Sequence, residues 1–266
     1  MRRVALVIAA AVLATAAATA YGGSAPPTKE PGRLLVGVDV PAPGFADGQI
    51  SGSTIRNPRG FEIDLARAVG RRLGIPRVEF VYARFGGLFA AGEKPFDFAF
   101  EQITITPQRR RVVDFSAPYF DANQGVLIGR RVTPPRTLAD LRGLQTCAQA
   151  ATTGLTYVQS RLRPERRVRI YPSTAAALQA VQVGQCDAIV LDVPIVASAK
   201  KQRPSGYGIV AGQIITREQY GALFPKGSPL RARVDAAIRA LRANGTIGRL
   251  QARWFGLNFT KIRVLR

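Results

Sequence analysis

Residues 60–74, GFEIDLARAVGRRLG, carry Phe61, Leu65, Val69 and Leu73 four residues apart. That spacing lays one apolar stripe along a helix, and Gly74 and Pro76 stop it. On the N-terminal side stands RLLVGVDV (33–40), a continuous apolar run ending in an acid, Asp39. On the C-terminal side RVEFVYARF (77–85) reads as a second strand. After a short small-residue segment comes a third, FDFAF (96–100). Strand, helix, strand, helix, strand, with the small-residue segment as the second helix, is the grammar of a parallel sheet with helical crossovers.

The pattern recurs downstream. LQTCAQA (144–150) reads as a strand, TTGLTYVQSRL (152–162) as a helix and RVRIYPS (167–173) as a strand. TAAALQAVQVG (174–184) is a helix closed by Gly184, and CDAIVLD (186–192) a strand. Both halves place an aspartate early in the closing strand, Asp97 and Asp187. Two similar α/β lobes imply a cleft where the carboxyl ends of their strands face each other. Asp39, Glu101, Gln102, Thr152, Thr153 and Asp192 fall at those ends. LRARVDAAIRALRANG (230–245) reads as a final helix, which with the segment TIGRLQARWFG (246–256) should return to complete the first lobe.

EQITITPQR (101–109) follows the third strand directly. Thr106 before Pro107 is a hydroxyl N-cap with proline at the first helical position. Thr104 and Thr106 offer hydroxyls, the helix start offers free N–H groups, and Arg109 stands one turn in. Together they make a site for a small anion, most simply a carboxylate.

Composition excludes several function classes. There is no histidine among the 266 residues, which removes histidine bases and ligands, and two cysteines alone cannot make a zinc site. No metal or cofactor is expected. The net charge is +21, but the arginines are spread along the chain with only short clusters such as 109–111, so no nucleic-acid partner is expected. Arg2 and Arg3 precede the apolar run 4–20, which ends in the small residues Ala18-Thr19-Ala20. Residues 1–20 read as an export signal and 21–32, YGGSAPPTKEPG, as a Pro/Gly-rich tether. Tyr21 stands where a lipidated cysteine would, so a lipid anchor is excluded and a periplasmic or extracellular location is expected. In an exported chain the lone pair Cys147 and Cys186 is expected to form a disulfide across neighbouring strands.

GFEIDLARAVGRRL, ITITPQR, VVDFSAPYF (112–120) and LFPKGSPLRARVDAAIRALRANGTIGRLQARWFG (223–256) together resemble the bacterial extracellular solute-binding proteins of family 3. These bind polar amino acids for ABC importers. The resemblance implies a two-lobed, type II periplasmic-binding-protein-like α/β fold, each lobe a mostly parallel sheet flanked by helices. Lobe 1 would comprise 33–122 and 219–266, and lobe 2 residues 123–218. The hinge would lie near Asn123–Ile128 and Ile214–Ala222. It implies a monomeric binding protein, not an enzyme, with an amino acid and a membrane permease as partners. Arg109 matches the clamp on the ligand carboxylate, Thr104 and Thr153 its hydroxyl donors, and Asp192 the acceptor of the α-ammonium. Phe85 would cover the ligand side chain and Asp39 would read its head group. Glu101 and Gln102 replace the small or hydroxyl residues common there, Ala42 an aromatic, and Ala151 a glycine.

With those roles, one positive charge in the cleft faces three negative ones, Asp39, Glu101 and Asp192. A cationic or amide-bearing side chain relieves that imbalance, whereas an acidic one, the alternative, worsens it. Arg84 stands as another partner for Glu101. Some relatives of the family resemble prephenate or arogenate dehydratases, which keeps a second reading open with Glu101 as the acid.

Overall fold

The computed structural model describes residues 25–256 and 259–266. The export signal and residues 21–24 of the tether lie outside the described residues. The rest of the tether is held to the protein, with the Lys29 N–H donating to Asp97 Oδ1 at 2.6 Å.

The chain runs through β1 (Leu34–Val38), β2 (Asp47–Ser51), β3 (Thr54–Arg59), α1 (Phe61–Arg72), β4 (Val78–Tyr82), β5 (Phe98–Ala99), α2 (Pro107–Arg110), β6 (Asp114–Phe115) and β7 (Phe120–Ile128). It continues through α3 (Leu138–Arg142), β8 (Thr146–Gln149), α4 (Thr153–Tyr157), β9 (Arg169–Tyr171), α5 (Thr174–Gln182), β10 (Ala188–Asp192), α6 (Val193–Gln202) and β11 (Val210–Tyr220). Then come β12 (Leu223–Phe224), α7 (Arg231–Ala243) and α8 (Thr246–Trp254). Two sheets form, one ordered β2-β3-β4-β1-β5-β12-β6 and the other β11-β7-β10-β8-β9. Each belongs to one lobe.

The stripe on α1 does what its spacing predicts. Phe61, Leu65 and Val69 are wholly buried, and burial of each large side chain is worth about 1.5–3 kcal/mol. Among the named strands, parallel pairing joins β4-β1-β5 and β9-β8-β10, the strands linked by crossovers. The flanking strands are antiparallel, including a β2–β3 hairpin on residues that carry no strong strand signal. Between β4 and β5 the expected α-helix does not form. The Gly-rich segment makes a single 3-10 turn, Phe85–Gly87, because it has no apolar stripe to bury. The paired aspartates are structural equivalents. Asp97 accepts from the Leu35 N–H of β1 at 2.7 Å, and Asp187 from the Gln145 N–H just before β8 at 2.8 Å.

β7 and β11 are the strands that pass from one lobe to the other. Their first-lobe ends are anchored by Tyr119 N–H to Tyr220 O, and by Gly221 N–H to Ile103 O. Beneath the crossing, Phe45, Phe61, Phe120, Tyr220 and Phe255 pack ring against ring. Two expectations need correction. Residues 263–265, expected in the first lobe, lie against the second: Gln213 N–H donates to Arg263 O at 2.7 Å and Leu265 N–H to Gln213 O at 2.8 Å. β11 is an edge strand, and the tail satisfies backbone groups that edge would otherwise expose.

The second correction concerns the cysteines. Cys147 and Cys186 are buried free thiols, not a disulfide. The β8–β10 register sets Cys147 level with Ile189, three residues beyond Cys186, so the two cysteines are not opposite one another. Cys147 Sγ lies 3.7 Å from Ala177 O and Cys186 Sγ 3.9 Å from Tyr171 Oη, and the influence of each thiol on the other raises Cys147 far above its ordinary range and lowers Cys186.

Candidate functional site

The cleft sits where the sequence pattern puts it. Asp39 follows β1, Glu101 follows β5, Thr153 opens α4 after β8, and Asp192 ends β10. Asp39, Phe85, Glu101, Gln102, Thr104, Arg109, Thr153 and Asp192 all line one cavity of about 100 Å³. A single water needs roughly a tenth of that, so the space suits a molecule of amino-acid size.

Arg109 is placed by its helix start. Thr106 Oγ1 accepts from the Arg109 N–H at 3.1 Å, and Pro107 occupies the first turn of α2. The guanidinium donates to Thr104 O at 2.7 Å within its own lobe and to Ala151 O at 2.9 Å across the cleft. It also lies over the Phe89 ring at 4.6 Å and the Phe85 ring at 5.5 Å. Burial draws its pKa down to about 10, so it remains charged at neutral pH. Phe85 therefore does two things, lining the cavity and seating the arginine. Ala151, where the family resemblance leads one to look for glycine, has φ +63°, the left-handed region that disfavours a Cβ.

Glu101 is the exceptional group. It is 2% exposed, and neither carboxyl oxygen has a hydrogen-bond partner. Arg84 does not pair with it; the Arg84 charge acts on Asp39 instead. Burial first, then the charges of Asp39 and Glu62, hold the Glu101 pKa well above the carboxylate range. Asp39 is raised more mildly by burial, against a long 3.5 Å contact from the Phe85 N–H. Asp192 is raised to about 7 by burial and by Glu218, while Tyr220 Oη and Gln124 Nε2 donate to it.

Three placements differ from expectation. The Gln102 backbone N–H and side-chain amide both donate to Glu62, so that amide is committed to the protein. Glu62 is wholly buried, also accepts from Tyr119 Oη, and is raised to about 7 by burial. The hydroxyls of Thr104 and Thr153, expected to donate to a ligand, both donate to Glu218 Oε2, at 2.7 and 2.6 Å. Each hydroxyl has one proton to give, so neither remains free as a donor. Glu62, Gln124, Glu218 and Tyr220 escaped the sequence reading. Glu62 sits inside a helical pattern, and the others lie on crossing strands whose polar residues look like surface.

The strand-end cleft, the buried arginine at the Thr-Pro turn and the paired lobes occur together over one continuous stretch, and the pattern of bacterial extracellular solute-binding proteins, family 3, matches residues 34–257. The chain belongs to that family. Among relatives, it is 28% identical to the L-cystine-binding protein TcyJ of Escherichia coli (strain K12), covering 88% of this chain and 86% of that one. An ancestral arginine-binding protein bound to glutamine superposes with a TM-score of 0.75 at 30% identity, covering 85% of this chain and 99% of that one. The ancestral amino acid-binding protein AncCDT-1, a precursor of cyclohexadienyl dehydratase, gives a TM-score of 0.72 at 31% identity, covering 84% and 95%. These are type II periplasmic amino-acid-binding folds, and this family-3 chain shares their architecture.

Proposed function

We propose that this chain captures an L-amino acid with a cationic or amide-bearing side chain and delivers it to the membrane permease of an ABC importer. Arg109 would bind the ligand's carboxylate and Asp192 its α-ammonium. Asp39 and Glu101 would receive the side-chain head group. The observation that carries this reading is Glu101, a buried carboxyl with two unpartnered oxygens lining the same cavity as Asp39. A cationic group supplies what that carboxyl lacks. A ligand carboxylate there would bury like charges against each other. The ancestral neighbour's name agrees in kind, since it is an arginine-binding protein bound to glutamine, whereas cystine carries both an ammonium and a carboxylate at its far end.

The test is a thermal-shift and calorimetric panel on ligand-stripped protein with arginine, lysine, ornithine, glutamine, cystine, glutamate and aspartate. A ligand bound only by the native state raises its melting temperature. Saturable binding of a cationic amino acid or glutamine is the expected result. Tight glutamate or aspartate binding at neutral pH, with no response to the others, would overturn it.

One observation favours a second reading. A carboxyl kept protonated in a closed cavity is also a general acid, and AncCDT-1 precedes a dehydratase. Prephenate turnover, followed spectroscopically, would establish that reading and displace the first.

A further inference from the structure

Glu218 lies on β11 just past an irregularity in the crossing strands. Ile214 pairs with Gln124 but Glu218 pairs with Ala122, so β11 advances four residues while β7 advances two. Arg217, at φ +53°, makes the local turn. Asn123 Oδ1 pins it by accepting from the Thr216 and Arg217 N–H groups at 3.1 and 3.0 Å. The bulge brings the Glu218 carboxylate to the junction of the lobes. There Oε2 accepts from Thr104 of the first lobe and Thr153 of the second, and Oε1 from Gln124 Nε2 at 2.9 Å. Thr104, Arg109, Thr153 and Asp192 line the cavity, whereas Glu218 stands behind them. It leaves the ligand's space open.

We infer that Glu218 is a positioning residue, a latch fastening the two lobes in the closed form through the hydroxyls of Thr104 and Thr153. Opening the cleft separates Thr104 from Thr153, so one carboxylate oxygen cannot keep both bonds. The latch therefore adds to the stability of the closed form with or without ligand. Apparent affinity scales with the fraction of protein in the binding-competent form. Loss of the latch thus weakens every ligand by the same factor, unlike loss of Asp39 or Glu101, which reads only the head group. The affinity part of this inference rests on the amino-acid-binding reading above, while the closure part does not.

The experiment uses the full chain, ligand-stripped, as wild type, Glu218→Ala and Glu218→Gln. Small-angle scattering without ligand should show Glu218→Ala more extended than wild type, with Glu218→Gln between them because one acceptor oxygen survives. Calorimetry with arginine and with glutamine should show losses on the order of tenfold, equal for the two ligands, the scale of two broken charge-assisted hydrogen bonds after partial replacement by water. Unchanged scattering of ligand-free Glu218→Ala would overturn the latch. So would losses differing more than threefold between arginine and glutamine, which would place Glu218 at the ligand. Should Glu218→Ala fail to fold, Thr153→Val, which removes one of the two hydroxyl donors to Glu218, decides the latch by the same scattering criterion. If wild type binds neither amino acid, the amino-acid reading falls, and the scattering comparison alone decides the latch.

Discussion

Burial of Glu101 in the empty cleft favours its protonated form, and a bound cation should draw that proton off. Burial and neighbouring carboxylates raise its pKa in the free protein, and a bound cation lowers it again. Binding of arginine or lysine should therefore release a proton, and affinity should rise with pH up to the free-protein pKa of Glu101. Calorimetry in buffers of different ionisation enthalpy measures that proton directly. Glu101→Gln should abolish the release, and release unchanged in that variant would assign the proton elsewhere. In the proposed site Arg109 would act at the opposite end. It is the one cation among the residues lining the described cavity, and Arg109→Ala should cost about 3–5 kcal/mol of binding, because a ligand carboxylate would remain buried without its partner. Calorimetric affinity within threefold of wild type would remove it from the clamp.

Among the elements, the turn from β8 into α4 holds strain that the fold does not require. Ala151 adopts a left-handed conformation that costs an alanine about 1–2 kcal/mol, and its carbonyl receives Arg109 from the other lobe. Ala151→Gly relieves that cost and leaves the carbonyl in place. The variant should be more stable by roughly 1 kcal/mol in denaturant unfolding, net of glycine's extra chain entropy, with ligand affinity unchanged. A destabilised variant would show that the Ala151 methyl contributes packing exceeding its strain.

At the scale of the whole molecule, buried acids tie stability to pH. Glu62 and Asp192 both have folded pKa values near 7, above their ordinary values of about 4.5 and 3.8. For a raised acid, its stabilising contribution is fully present below the unfolded pKa and is lost as pH rises through the folded one. The ligand-free protein should thus lose stability between about pH 4 and 7, on the order of 3–4 kcal/mol per group. Melting temperatures across that range check the slope, and Glu62→Gln should flatten it. Closure belongs to this scale too. A ligand that touches both lobes selects the closed form, so saturating ligand should tighten the scattering profile wherever the free protein samples open states. Identical compactness in both conditions, for wild type and Glu218→Ala alike, would argue against hinge motion at β7 and β11.

The sequence by itself determined the two-lobe α/β plan, the family and the residues that line the cleft. Those features rest on local rules. Apolar spacing in 60–74 makes a helix wherever it folds, Thr106-Pro107 starts one, and polar residues at strand ends face the space beyond a sheet. Only the tertiary structure decided what the cleft residues are bonded to. Gln102 turns to Glu62 because a wholly buried carboxylate 40 residues earlier needs donors. Thr104 and Thr153 give their protons to Glu218, more than 60 residues from either, because a bulge between crossing strands delivers it there. The cysteines remain free thiols, three residues out of register across β8 and β10, because register and not spacing sets their height. A single-residue slip in register would turn every side chain of a strand to its other face and hand its hydrogen bonds to new partners, so register is settled only when the strands pack. Periodicity therefore reads the scaffold, and the proton and charge connections of the site emerge only when distant segments meet.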